Sequence, residues 1–135
     1  MKSIAAVVVS FVLVAALFVL TDAALHALGI MPLGAVFDAK LLAVALFYRV
    51  VYTIIGGYVA AKMAPSKPLW HALALGIIGM CVTISGAMIN AVLGPAWYAW
   101  GLVILALPSV WLGAYLYTPA LATKQAPSAV RPPLF

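Results

Sequence analysis

The chain has 135 residues and a formal net charge of +5, yet only 7% of its residues are charged and 68% are hydrophobic. Soluble domains hold roughly 45–50% apolar residues, so water-facing side chains could not cover this much apolar surface. Lipid is the solvent that this composition requires. A nucleic-acid binder, which clusters Lys and Arg on one soluble face, is excluded.

Four apolar stretches follow in order: Ile4 to Leu25, Leu41 to Ala61, Leu69 to Val92 and Trp97 to Tyr117. Each has about the 20 residues that a helix needs to cross a bilayer core. The first has an alternative reading as a cleaved signal peptide, with Ala23 and Ala24 near a cleavage point. Its apolar run exceeds the roughly 7–15 residues of a signal core, and Asp22 sits awkwardly before that point, so a retained helix is expected. It should stop at Gly29, with Pro32 beyond. The loop Gly29–Lys40 holds Ile30, Met31, Leu33, Val36 and Phe37 and is expected to lie in the outer interface. Met63–Pro68, with two prolines, is a tight turn, and Leu93–Ala96 is tighter still. Short connections make sequential helices antiparallel neighbours. Pro108 falls inside the fourth stretch and is expected to kink it. From Thr118 onward Pro119, Pro127, Pro132 and Pro133 mix with polar residues, the pattern of a disordered tail. The expectation is an all-α membrane protein. Residues 1–118 form four antiparallel transmembrane helices in a bundle, and residues 119–135 form a cytoplasmic tail.

Positive charge alternates between the two ends of these spans. Lys2 precedes the first, Lys62 and Lys67 lie between the second and third, and Lys124 and Arg131 follow the fourth. The other two connections hold Asp38 and Lys40, then no charge. Both termini are therefore expected in the cytoplasm. Trp97, Tyr98 and Trp100 mark one end of the fourth span and Tyr115 and Tyr117 the other, with Trp70 at the start of the third, as amphipathic rings prefer the headgroup level. Cys81 is the only cysteine, so no intrachain disulfide can form.

Two stripes of small residues suit close helix contact. Gly56 and Ala60, and Gly57 and Ala61, are each four apart. A longer stripe steps through Ala72, Gly76, Gly79, Thr83, Gly86 and Asn90. Such faces let backbones approach closely, either within the four-helix unit or between two copies of the chain.

Arg49 is the most informative polar residue. It lies near the middle of the second span, where a charge must face the protein interior and find a partner. Tyr52 and Thr53 follow three and four residues later on the same face. Asp22, toward the outer end of the first span, is the only acid inside a span. The depth difference is roughly 9 Å, and a snorkelling Arg side chain can close much of that. Two readings follow: a structural Arg49–Asp22 pair that fixes helix register, or a site for an anionic headgroup, a quinone oxygen or another substrate.

Asp22 and His26, four apart, share a face, and Asp38 could add a third donor. Two such ligands are a weak metal signal, and no metal site is assigned. His26 and His71 fall at opposite ends of their spans, about 30 Å apart, too far to share one haem. No Ser–His–Asp or Cys–His set lies at one depth, so no catalytic residue and no cofactor is expected.

The run from Arg49 to Ala61, then Ala64-Pro65 and Trp70-His71-Ala72, is similar to small four-span inner-membrane proteins of bacteria to which no function is assigned. Gly94-Pro95-Ala96-Trp97-Tyr98, Leu107-Pro108 and Leu112-Gly113 resemble their last helix. The resemblance implies a four-helix fold and a bacterial inner membrane, and no activity. Small multidrug transporters share the span count but use a membrane-embedded Glu in the first helix. This chain has no Glu, and Asp22 is the nearest substitute. The expected role is a non-enzymatic accessory or interaction module whose partners are membrane lipids and a second copy or another membrane protein. The alternative is a small transporter or channel subunit with an anion or lipid-headgroup site at Arg49.

Overall fold

The computed structural model describes residues 1–33, 38–89 and 95–125, with the side chains of 89 and 119–125 outside the description. Val36, Phe37, Asn90, most of the third connection and the tail from 126 lie outside the described residues. Four α-helices make up the fold: α1 Lys2–Ala27, α2 Ala39–Met63, α3 Pro68–Ile89 and α4 Ala96–Gln125. All four are long and apolar enough to cross a membrane. Each is apolar all round rather than along one stripe, which is what lipid on the outside requires. The helical form satisfies every interior backbone group without water. The chain is a multi-pass membrane protein built as a four-helix bundle.

Local chemistry sets the helix ends. Gly29, at φ 70°, stops α1. Its N–H donates to the His26 carbonyl and that of Ile30 to the Leu25 carbonyl, each at 3.0 Å, the paired bonds of a Schellman stop. Asp38 caps α2, its carboxylate accepting from the Lys40 N–H at 2.8 Å and the Leu41 N–H at 3.4 Å. Between α2 and α3 the chain reverses through Lys67, whose φ of 46° lies in the left-handed region.

α4 runs unbroken through Pro108 and Pro119 to Gln125, past the expected boundary at Tyr117. Proline removes one backbone donor, and the sequence after Pro119, Ala-Leu-Ala-Thr-Lys-Gln, is rich in helix formers that carry the helix on. The Thr118 hydroxyl donates to the Ala114 carbonyl at 3.0 Å at the same point.

The two ends of the bundle differ in packing. The core cluster is Ala60, Ala61, Ala72, Leu75, Val110 and Ala114, with Val7, Phe11, Leu69 and Tyr117 against it. All of these lie toward the Lys67 end. On α1 the buried residues are Ala6 and Ser10, and on α3 none follows Gly76 among the described residues. Ser10 is satisfied inside its own helix, its hydroxyl donating to the Ala6 carbonyl at 2.7 Å.

α2 and α4 stay together along their length. A Cβ on Gly57 would strike the Val110 carbonyl, and one on Gly113 the Ile54 carbonyl, so the two backbones touch where only glycine fits. Tyr58 and Tyr117 meet edge to face beside this crossing, with centroids 5.3 Å apart at 85°. Nearer the Asp38 end, Leu46 lies 3.6 Å from the Cβ position of Gly101. α1 packs on α2 and α3, but no Cα of α1 comes within 8 Å of one on α4 among the described residues.

The small-residue stripes divide accordingly. Gly56 faces Val14 of α1, Gly57 and Ala60 are buried, and Gly76 faces Leu107 of α4 at 2.9 Å from its Cβ position. Among the described residues a Cβ at Gly79 meets no atom within 4 Å, so this position does not mark a close helix crossing. The four-residue period continues past the point where the helices part. Gly79→Ala should therefore be tolerated, and helix propensity favours Ala there by up to about 1 kcal/mol. Thermal melting of the detergent-solubilised variant checks this, and a marked loss would mean that α3 is packed at Gly79.

Candidate intramembrane binding site

α1 and α2 meet through two short runs of side chains at helical spacing. Phe18, Thr21 and Asp22 share one face of α1, and Tyr48, Arg49 and Tyr52 project from α2 toward it. The Arg49 Nη2 group donates to Asp22 Oδ2 at 2.6 Å. The Tyr48 hydroxyl donates to the other carboxylate oxygen, Oδ1. Both oxygens of Asp22 are thus engaged by α2, one through a charge-assisted pair. The pair is about a quarter exposed, 26% for Arg49 and 29% for Asp22.

Aromatic rings complete the junction. The Arg49 guanidinium carbon lies 5.3 Å from the centroid of Phe18, within cation–π range. Tyr52 stands 6.2 Å from Phe18 and 5.8 Å from Tyr48, centroid to centroid. Its hydroxyl shares a 2.9 Å hydrogen bond with Thr21. Arg49 Nε is buried without a hydrogen-bond partner.

The four residues singled out in the sequence therefore separate by role. Arg49 and Asp22 come together, because Arg49 sits about ten residues, roughly 15 Å, into α2 and Asp22 roughly 7–8 Å from the end of α1. The arginine side chain spans the difference in depth. Tyr52 serves the same helix junction but bonds Thr21. Thr53 turns its hydroxyl back to the Arg49 carbonyl at 2.7 Å. Phe18, Thr21 and Tyr48 were not singled out. Phe18 stands four residues before Asp22, which is a legible signal. Tyr48 is adjacent to Arg49 in sequence, a spacing that does not announce a shared face.

A cavity of about 980 Å³ adjoins this junction and extends from the edge of the core cluster, at Leu75 and Val110, toward the other end of the bundle. α1 contributes Val14, Phe18, Asp22 and His26. α2 contributes Tyr48, Arg49 and Thr53, α3 Gly79, Thr83 and Gly86, and α4 Tyr98, Trp100, Val103 and Ser109. Most of the wall is apolar, and the Asp22–Arg49 pair is its charged part. Small residues of α3, Gly79, Thr83 and Gly86, leave part of this space open, beside larger ones such as Leu75 and Val82.

The possible metal donors take other roles. Asp38 caps α2, both Asp22 oxygens are taken, and His26 Nδ1 lies 2.6 Å from the Asp22 carbonyl. His71 sits at the Lys67 end, with Nδ1 3.1 Å from the Lys67 carbonyl.

No family model, curated protein or solved structure matches the chain. What the sequence and fold establish is the class: a small, multi-pass, four-helix membrane protein.

Proposed function

We propose that this protein is a non-catalytic accessory or interaction module of a bacterial inner membrane. The observation that carries the reading is the closed Asp22–Arg49 pair. The two charges carried inside the spans neutralise each other, and Tyr48 takes the remaining carboxylate oxygen. Neither charge of the pair is left unpaired for chemistry. The bacterial assignment draws on the resemblance of the Arg49–Ala61 run and the Trp70-His71 turn. Retention of α1 is part of the reading, because removing it would strip Arg49 of its counter-charge. The test is purification of the full chain in mild detergent from its native membrane. A stoichiometric membrane partner or a homodimer is expected. A strictly monomeric particle that turns over a substrate would sink the proposal.

The second reading, a transporter or channel subunit with an anion or headgroup site at Arg49, is favoured by one observation: a cavity reaches Arg49. Against a channel, the half toward Lys67 is filled by the core cluster. Uptake of anions into proteoliposomes, lost in Arg49→Leu, would favour this reading over the first.

In either case both termini belong in the cytoplasm, since Lys2, Lys62 and Lys67 gather at one end of the spans. A C-terminal fusion should be active as a cytoplasmic reporter and silent as a periplasmic one. The reverse pattern would put the Lys62–Lys67 turn outside.

A further inference from the structure

We propose that the cavity beside Arg49 is a binding site for one uncharged, carbonyl-bearing amphiphile. Its carbonyl oxygen accepts a hydrogen bond from the Arg49 guanidinium, and its apolar chain lies along α3 and α4. The inference uses the cavity of the second reading above but replaces the anion with a neutral ligand. It stands whether or not a partner protein binds the module.

Three observations converge on this chemistry. The first is space. Membrane-protein interiors are close-packed, and a void of about 980 Å³ is the size of a ligand pocket rather than a packing flaw. Its largely apolar wall suits a hydrocarbon chain better than water.

The second is the balance of donors and acceptors. Arginine has five N–H donors. Nη2 serves Asp22, and Nε is buried with no partner. The aliphatic hydroxyls on the cavity wall have committed their protons to their own helices, and the Tyr48 hydroxyl donates to Asp22. Thr53 donates to the Arg49 carbonyl, Thr83 to that of Gly79 at 2.8 Å and Ser109 to that of Leu105 at 2.6 Å. Arg49 is thus a charged donor left incompletely used, and it calls for an acceptor.

The third is charge. Asp22 and Arg49 sum to zero. An anion entering this apolar space would bring an uncompensated charge out of water, which is strongly unfavourable. A neutral carbonyl gains a charge-assisted bond without that penalty.

Two membrane sources carry this chemistry, quinones with an apolar chain and acylglycerols. The test uses the full chain in dodecyl maltoside and native mass spectrometry. The probes are decylubiquinone, dioleoylglycerol and dioleoylphosphatidate, the last having the same acyl chains as the second plus a charged phosphate. One neutral probe or both should bind at one per chain, about tenfold or more tighter than the phosphatidate. Which neutral probe binds identifies the source. Gly79→Leu places a side chain in the open space and should weaken binding at least about tenfold, as should the double change Arg49→Leu/Asp22→Leu. Either variant suffices if the other does not fold. Phosphatidate binding as tightly as the neutral probes would overturn the proposal in favour of an anion site. Absence of binding by both neutral probes would overturn it outright. So would neutral binding unchanged in the variants, since the probes would then sit on the lipid-facing surface.

Discussion

Gly113→Leu should pull α2 and α4 apart and cost the bundle more stability than any other single change considered for it. A Cβ at Gly113 would fall on the Ile54 carbonyl oxygen, 2.8 Å from the Tyr58 nitrogen and 2.9 Å from the Ile54 carbonyl carbon. A Cβ at Gly57 would meet Val110 in the same way, 2.9 Å from its Cα and carbonyl carbon. These are backbone atoms, which cannot rotate aside as a side-chain end can. Overpacking a well-packed site typically costs about 1–3 kcal/mol, and more where the backbone itself must move. Separating the helices would also forfeit the close dispersion contacts that hold membrane helices together, and the edge-to-face contact of Tyr58 with Tyr117. Unfolding of the detergent-solubilised protein in a rising fraction of dodecyl sulfate measures the loss. Gly57→Leu should behave alike and Gly79→Ala should not. Equal stability of Gly113→Leu and Gly79→Ala would show that the crossing is not as close as described.

The second large effect belongs to Asp22. Asp22→Leu leaves Arg49 without its counter-charge and Tyr48 without its acceptor. Removing one partner of a buried pair costs about 3–5 kcal/mol. The partial opening of this pair to the cavity reduces that to on the order of 2 kcal/mol. Arg49→Leu should be milder. An apolar side chain suits mid-span, and Asp22, nearer its helix end, keeps the Tyr48 hydroxyl. The double change Arg49→Leu/Asp22→Leu should recover most of what Asp22→Leu loses, because replacing both charges by apolar groups can be nearly neutral. Recovery should stop short of complete, since Tyr48 still lacks an acceptor, and adding Tyr48→Phe should close the gap. Thermal stability of the single, double and triple variants measures each step. Purely additive losses would mean that the contact between Asp22 and Arg49 contributes nothing to stability.

Sequence pattern alone carried the helix count and the span positions, because lipid imposes a length and an apolarity that any bilayer-crossing helix must meet. The Asp22–Arg49 contact was legible for a related reason: a lone mid-span charge with one available counter-charge leaves little choice. The crossing of α2 and α4 was harder to see. Gly57-Tyr58 and Gly113-to-Tyr115 recur at matching points of the two halves. Their glycines lie at the same crossing, Gly57 against Val110 and Gly113 against Ile54, but a single Gly in a helix states no partner. The cavity was illegible, since Gly79 and Gly86 continue the spacing of Gly76 without a break. Spacing fixes the face on which a residue lies. It does not fix how far away the next helix stands.

The uneven burial along α3 has a mechanical side. Packing holds the helix at Ala72, Leu75 and Gly76, and no buried residue follows among the described ones. From Gly76 to Met88 it therefore forms a lever of about 12 residues, roughly 18 Å long. A tilt of about 10° pivoting at Gly76 would move the Met88 end by about 3 Å while leaving the contacts at the Lys67 end in place. α2 and α4, in close contact at Gly57 and Gly113, form the frame against which such a tilt would be taken. Because α3 forms one wall of the gap beside Arg49, such a tilt would widen or narrow that gap, and a molecule wedged against α3 would bear on its angle.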